Sequence, residues 1–143
     1  IAEMFELLGL LHDADQRMTG FSKGMKQKVL IAAALVHNPD VLFLDEPLNG
    51  IDANGAALIK ELMKQLAASG KTILFCSHVL DVVERVCHRI VIVSGGRAVA
   101  DGTADDLMAR TRTPRLEDAF VKLTSGEADG SRADHFLRVV GRG

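Results

Sequence analysis

Apolar positions follow a helical period in some stretches and form short unbroken runs in others. Ile1, Met4, Leu7, Leu8 and Leu11 fall at helical spacing, with Gly9 near the end of that stretch. A polar loop, HDADQRMTG, follows, and His12 within it reads as a surface residue. In FSKGMKQKVLIAAALVHNP, Ser22 is placed to cap a helix whose apolar face holds Met25, Val29, Ala32, Ala33 and Val36. Asn38-Pro39 ends it, because a residue before proline is pushed out of the α region. VLFLDEP, Val41 to Pro47, breaks the helical period. Four apolar residues run unbroken into Asp45 and Glu46, as in a buried parallel strand.

The turn-rich LNGIDANG comes next. Asn49-Gly50 marks a turn, and Asp52 or Asn54 can cap a helix with Leu58, Ile59, Leu62, Met63 and Leu66 on one face. That helix stops at Ser69-Gly70, and Lys71-Thr72 leads into a second strand, ILFC, which ends at Ser77-His78. A strand–helix–strand unit of this kind implies a right-handed parallel crossover, so both strand ends share one edge of a sheet. A third helix spans Val79 to Arg89, with Val79, Val82, Val83, Val86 and Cys87 inward. IVIVS and RAVADG then form a hairpin around Gly95-Gly96. Short helices are predicted over Thr103 to Arg110 and Leu116 to Leu123. From Ser125 onward the chain is rich in Gly, Ser and charge, so 125–143 is predicted as a flexible tail in which the apolar FLRVV has no assigned role.

Composition narrows the picture only slightly. Across 143 residues, 48% are hydrophobic, 25% charged, and the net charge is -2. That supplies ample material for a core, and no concentrated basic face points to a nucleic-acid partner. The longest apolar run, from Val29, is far too short to span a bilayer. Cys76 and Cys87 have neither metal-ligand nor redox spacing and read as small buried residues. The chain begins at Ile1 within a helical pattern, as expected for the C-terminal part of a longer protein.

Three places can carry chemistry. Asp45 and Glu46 stand at the carboxyl end of a strand, where open α/β sheets keep their ligands. One acid suits Mg²⁺, which takes one or two carboxylates plus phosphate oxygens, and the other can orient or deprotonate a water. The plainer alternative is a strand ending in two solvated acids. Ser22, the Gly24 backbone and a helix N-terminus can form an anion site, or simply a capped helix. His78 is brought near the carboxylates by the crossover and can hydrogen-bond a terminal phosphate, or it can be a first-turn surface residue behind a Ser77 cap.

The order FSKGM, VLFLDEP with LNGID, then SH resembles the ATP-binding subunits of ABC transporters over roughly the first 120 residues. FSKGM resembles the signature usually written LSGGQ, VLFLDEP the Walker B strand, LNGID the D-loop and His78 the switch histidine. The SKGMKQ form resembles the exporter branch. The resemblance implies an α/β, P-loop NTPase fold, incomplete here, with a parallel sheet, flanking helices and a C-terminal hairpin, the domain occupying 1–124. It implies ATP and Mg²⁺ as ligands. Asp45 would hold Mg²⁺ through water, Glu46 would polarise the attacking water, and His78 would contact the γ-phosphate. Two such domains would sandwich two ATP molecules, with Ser22, Lys23 and Gly24 at the ATP of the opposite subunit and Asp52 at the dimer interface. The implied partners are a second ATPase subunit and a transmembrane transporter subunit, with no nucleic acid. The implied place is cytoplasmic, on the inner face of the cell membrane.

Phe21, Lys23 and Met25 depart from the signature's leucine, first glycine and glutamine. Lys23 either adds charge near phosphate or faces solvent. No GxxxxGK[ST] occurs; Gly70-Lys71 has Gln65 where the first glycine would stand, and it enters a strand. The chain alone is therefore expected to be inactive and, with half a sheet, aggregation-prone. Two alternatives stand beside an exporter ATPase: a non-hydrolysing module lending its signature face to another ATPase, and a soluble ABC ATPase without a transporter.

Overall fold

The structure, a computed structural model, describes residues 2–124. The expected tail, 125–143, lies outside the described residues. The chain divides into two compact units, Ile1–His78 and Val79–Gly143.

The first unit begins with α1 (Ala2–Leu7) and continues through 3-10 turns at Leu11–Asp13 and Met18–Gly20. Helix α1 is shorter than its apolar spacing predicts, because Gly9 turns the chain at φ 68. Of the residues at helical spacing, Leu8 is buried while Leu7 and Leu11 are exposed, and Leu10 is buried beside Leu8. Next come α2 (Lys23–Leu35), β1 (Val41–Asp45), α3 (Ala53–Ala68) and β2 (Thr72–Cys76). β1 and β2 pair in parallel, from Val41 opposite Thr72 to Asp45 opposite Cys76. The α3 face is as expected at Ile59 and Met63, which are buried, whereas Leu58 is exposed.

The stripe buried by α2 meets expectation at Ala32 and departs from it elsewhere. Ile31 and Ala32 are buried, while Ala33 and Val36 are exposed. The first turn sets the helix rotation: a Cβ on Gly24 would lie 2.6 Å from the Gly50 carbonyl oxygen. Lys28, one turn on, faces Asp52 and Gly55. Gly24, Lys28, Ile31 and Leu35 then share one side.

The strands also differ from the buried reading. Leu42 is buried, but Phe43 is 77% exposed and Val41 and Leu74 are exposed as well. Successive side chains alternate between faces, and one face of β1–β2 is open. Cys76 lies on that open side and is exposed, and Cys87 is half-buried, so neither is the fully buried residue expected; both are free thiols.

The second unit comprises α4 (Leu80–Val86), β3 (Ile90–Ser94), β4 (Arg97–Gly102), α5 (Ala104–Thr111) and α6 (Leu116–Thr124). Helix α4 stops before the expected Arg89 because Cys87 is already extended. The hairpin is as expected. Gly95 and Gly96 both take positive φ, as a tight two-residue hairpin turn requires. A register shift between Ile92 and Val93 leaves Val99 as the extra residue of a bulge. Leu107, Leu116 and Ala119 are fully buried. Glu84 reaches across from α4 to accept the Leu116 N–H at 3.2 Å.

Candidate functional site

The parallel pairing places Asp45 at the last position of β1, opposite Cys76, with Ser77 and His78 just beyond. The Glu46 N–H extends the ladder by donating to the Cys76 carbonyl at 3.0 Å. The chain then turns sharply. Glu46 has φ 45, a left-handed conformation that costs a side-chain-bearing residue of order 1–3 kcal/mol, and the buried Pro47 that follows disfavours the ordinary α alternative.

This turn brings Glu46 to His78. Its Oε1 accepts the His78 backbone N–H at 3.0 Å and lies 2.7 Å from the ring Nδ1. The Ser77 hydroxyl is 3.5 Å from Oε2. Thus two donors fix one carboxylate oxygen, while the other faces a weaker contact. With Nδ1–H directed at Glu46, the ring's Nε2 donates to an acceptor only when doubly protonated. Among the described residues no group of three or more His, Cys, Asp or Glu side chains could hold a metal by itself. The exposed Asp45 nevertheless fits Mg²⁺, whose coordination shell is mostly water and phosphate oxygen.

A second constellation surrounds the start of α2. Ser22 is the N-cap, as expected, and its Oγ accepts the Met25 N–H at 3.2 Å. The hydroxyl proton remains a donor. The N–H groups of Lys23 and Gly24 belong to the first turn, where a helix offers donors to an anion. No acidic residue occupies this turn.

Asp52 caps α3, as expected, accepting the Gly55 N–H at 2.9 Å. That N–H holds its carboxyl below the ordinary value, and the nearby Lys28 charge adds to the effect. Lys23 donates to Asn49 Oδ1 at 2.9 Å. The sequence marked Asn49 only as a turn residue and singled out no role for Lys28. The clue was the long side chain of Lys23 standing where a small residue would fit.

Glu46 and His78 are therefore brought into contact. Ser22, Lys23 and Gly24 form a separate helix start, and the Asn49–Asp52 turn lies against it. Among the described residues no helix is long and apolar enough to cross a membrane.

Comparison with known proteins gives a consistent result. A family model described as ABC transporter matches residues 1–49. An uncharacterized ABC transporter ATP-binding protein of Nostoc sp. is 44% identical over 82% of this chain and 36% of its own length. A Nod factor export ATP-binding protein I of Paraburkholderia xenovorans is 40% identical over 76% of this chain and 36% of its own. Among solved structures, an ATP-binding subunit of an ABC transporter aligns with TM-score 0.80 and 34% identity, over 86% of this chain and 52% of that one. A dimeric ATP-binding cassette in a post-hydrolysis state with ADP and Pi aligns with TM-score 0.65 and 26% identity, over 71% and 44%. The chain spans about a third to a half of the length of these proteins.

Proposed function

We infer the role of this chain from one premise: it belongs to the ABC transporter ATP-binding family. Its residues form part of an ATP-hydrolysing subunit that powers export through a membrane partner from the cytoplasmic face. The observation that carries this reading is the Glu46 carboxylate, turned out of a parallel strand end and held by His78 at 2.7 Å. Export is supported by the name of the Nod factor relative.

Phosphoryl transfer to water depends on positioning and charge neutralisation more than on covalent chemistry. Glu46 orients and deprotonates the water through the oxygen that His78 leaves available. The His78 contact keeps that carboxylate pointed out of the strand end, and its Nε2, when protonated, donates to the terminal phosphate. Asp45 is the residue to hold Mg²⁺ through water; that ion, bound with ATP, neutralises phosphate charge. Ser22, Lys23, Gly24 and the α2 N-terminus receive the phosphates of ATP held by a second ATPase subunit, and Asp52 lies at that junction. The dimeric ADP-bound neighbour supports the two-subunit arrangement. The 143 residues contain no GxxxxGK[ST], so hydrolysis is expected of the assembled ATPase and not of these residues alone.

The test is ATP turnover by the assembled ATPase, compared with the same assembly carrying Glu46→Gln. Loss of turnover with nucleotide still bound is the expected result. Unchanged turnover overturns the assignment of Glu46.

A further inference from the structure

We propose that Lys23 is a positioning residue for Glu46, acting through Asn49. The proposal rests on the reading of Glu46 as the residue that acts on water. The Lys23 ammonium donates to Asn49 Oδ1 at 2.9 Å, and the Asn49 N–H donates to the Glu46 carbonyl at 3.0 Å. An ammonium, a side-chain amide and a backbone carbonyl thus join the anion-binding end of α2 to the residue whose left-handed turn aims the carboxylate.

The surrounding packing is built around this tie. Gly50, next to Asn49, has φ 78, and a Cβ there would lie 2.8 Å from Lys23 Cδ and 2.9 Å from Cγ. The lysine stem therefore occupies the space over Gly50. Its neighbour Gly24 meets the Gly50 carbonyl oxygen at 2.6 Å from where a Cβ would stand. Five residues further on, a Cβ on Gly55 would lie 2.9 Å from Lys28 Cε. Two lysine stems and a backbone approach thus seat the 49–55 segment on α2. A glycine at position 23 could make neither the hydrogen bond nor the stem contact.

The ammonium has three donors, and Asn49 takes one. An anion at the α2 N-terminus would share the same ammonium, so its arrival bears on Asn49 and, through it, on Glu46. The departure from the signature pattern is in this sense a link between two places: the phosphate received at α2 and the carboxylate at the end of β1.

The experiment is a double-mutant cycle in the assembled ATPase with Lys23→Met, Asn49→Ala and the pair. Lys23→Arg and Asn49→Asp serve as conservative variants that keep the donor and the acceptor. Two readouts are taken: backbone amide exchange over residues 47–51, and kcat against KM. Each disruptive single variant is expected to quicken exchange there roughly two- to tenfold, with the pair no worse than either single. Their kcat falls, KM moves little in Asn49→Ala, and both conservative variants restore both readouts. Additive effects in the pair, unchanged exchange, or an unchanged kcat in Asn49→Ala overturns the tie. If Glu46→Gln leaves turnover intact, the reading of Glu46 fails, and exchange over 47–51 still decides whether Lys23 holds Asn49.

Discussion

Helices α2 and α5 both begin behind a hydroxyl cap, Ser22 in the first unit and Thr103 in the second. At α5 the cap is reciprocal: the Asp106 N–H donates to Thr103 Oγ1 and the Thr103 N–H donates to Asp106 Oδ2, both at 3.1 Å. Asp105 and Asp106 fill the first turn, so the positive end of the helix dipole meets carboxylates from within the chain. At α2 no carboxylate stands in the first turn, and Lys23 and Lys26 lie there instead. Such a start is worse for an isolated helix and better for a bound anion. Capping alone therefore does not mark an anion site; what separates the two starts is whether a carboxylate of the chain already stands in the first turn.

The largest expected effect separates the two regions by their acids. Glu46→Gln should lower kcat of the assembled ATPase about 10²–10⁴-fold, the usual contribution of a general base. Asp106→Asn, which removes a carboxylate that caps α5, should leave kcat within about twofold, as expected of a surface change away from the proposed chemistry. Single-turnover hydrolysis with a nucleotide-binding control checks both. A comparable loss from Asp106→Asn would break the division between a region that carries chemistry and one that supports itself.

The next effect concerns the cores. Ile59 and Leu107 are each fully buried, one in each unit. Truncation of either to alanine should cost about 2–5 kcal/mol. Urea unfolding followed by amide exchange should show Ile59→Ala loosening the first unit and Leu107→Ala the second. Loss of protection throughout the chain from either variant would show one cooperative body in place of two.

The second unit was more legible in the sequence than the first, and the reason is locality. The Gly95-Gly96 hairpin and the Thr103 cap are decided by residues within a few positions of one another, and both stand as read. In the first unit the elements and the parallel pairing were legible, but their exposed faces were not. VLFL reads as buried on both sides, yet Phe43 lies open, because periodicity records what a strand is suited to and not what covers it. The α2 face was legible at Ala32 but not at Ala33 and Val36 for a related reason: the approach of Gly24 to Gly50 sets the rotation, and that contact is remote in sequence. The site was legible wherever topology sufficed, as in the meeting of Glu46 and His78. It was not legible where one long side chain chose its partner, as Lys23 did with Asn49.

The two caps give a smaller and sharper contrast. Ser22→Ala and Thr103→Ala should each cost about 1 kcal/mol of stability, the usual value of a lost N-cap. Only Ser22→Ala should also weaken ATP-dependent association of the assembled subunits, since the proposed function gives only its hydroxyl a ligand to serve. Analytical ultracentrifugation with and without ATP, beside thermal melts, tells the two apart. Equal loss of association from Thr103→Ala would remove the distinction drawn between the helices.

The smallest effect is on the acid side, and its sign follows from the direction of the shifts. Asp106 lies below its ordinary 3.8 chiefly through its hydrogen bond with Thr103, and Asp101 chiefly through its hydrogen bond with Arg89. A carboxylate with a lowered folded pKa contributes stability that is present above the ordinary value and lost as pH falls through the lowered one. Melts followed by circular dichroism should therefore hold steady from pH 7 to about 5 and decline below about 4, more shallowly in Asp101→Asn and Asp106→Asn. Both groups are exposed, so each contribution is small. Salt should separate them. The Arg89–Asp101 ion pair, at 2.8 Å, is a contact between two full charges and is screened by added electrolyte. The Asp106 contact is mainly to a neutral hydroxyl and a backbone N–H, which salt screens far less. High salt should thus erase the Asp101→Asn difference and leave most of the Asp106→Asn difference. If both vanish together, the α5 cap acts mainly through charge, and its contrast with α2 becomes one of electrostatics alone.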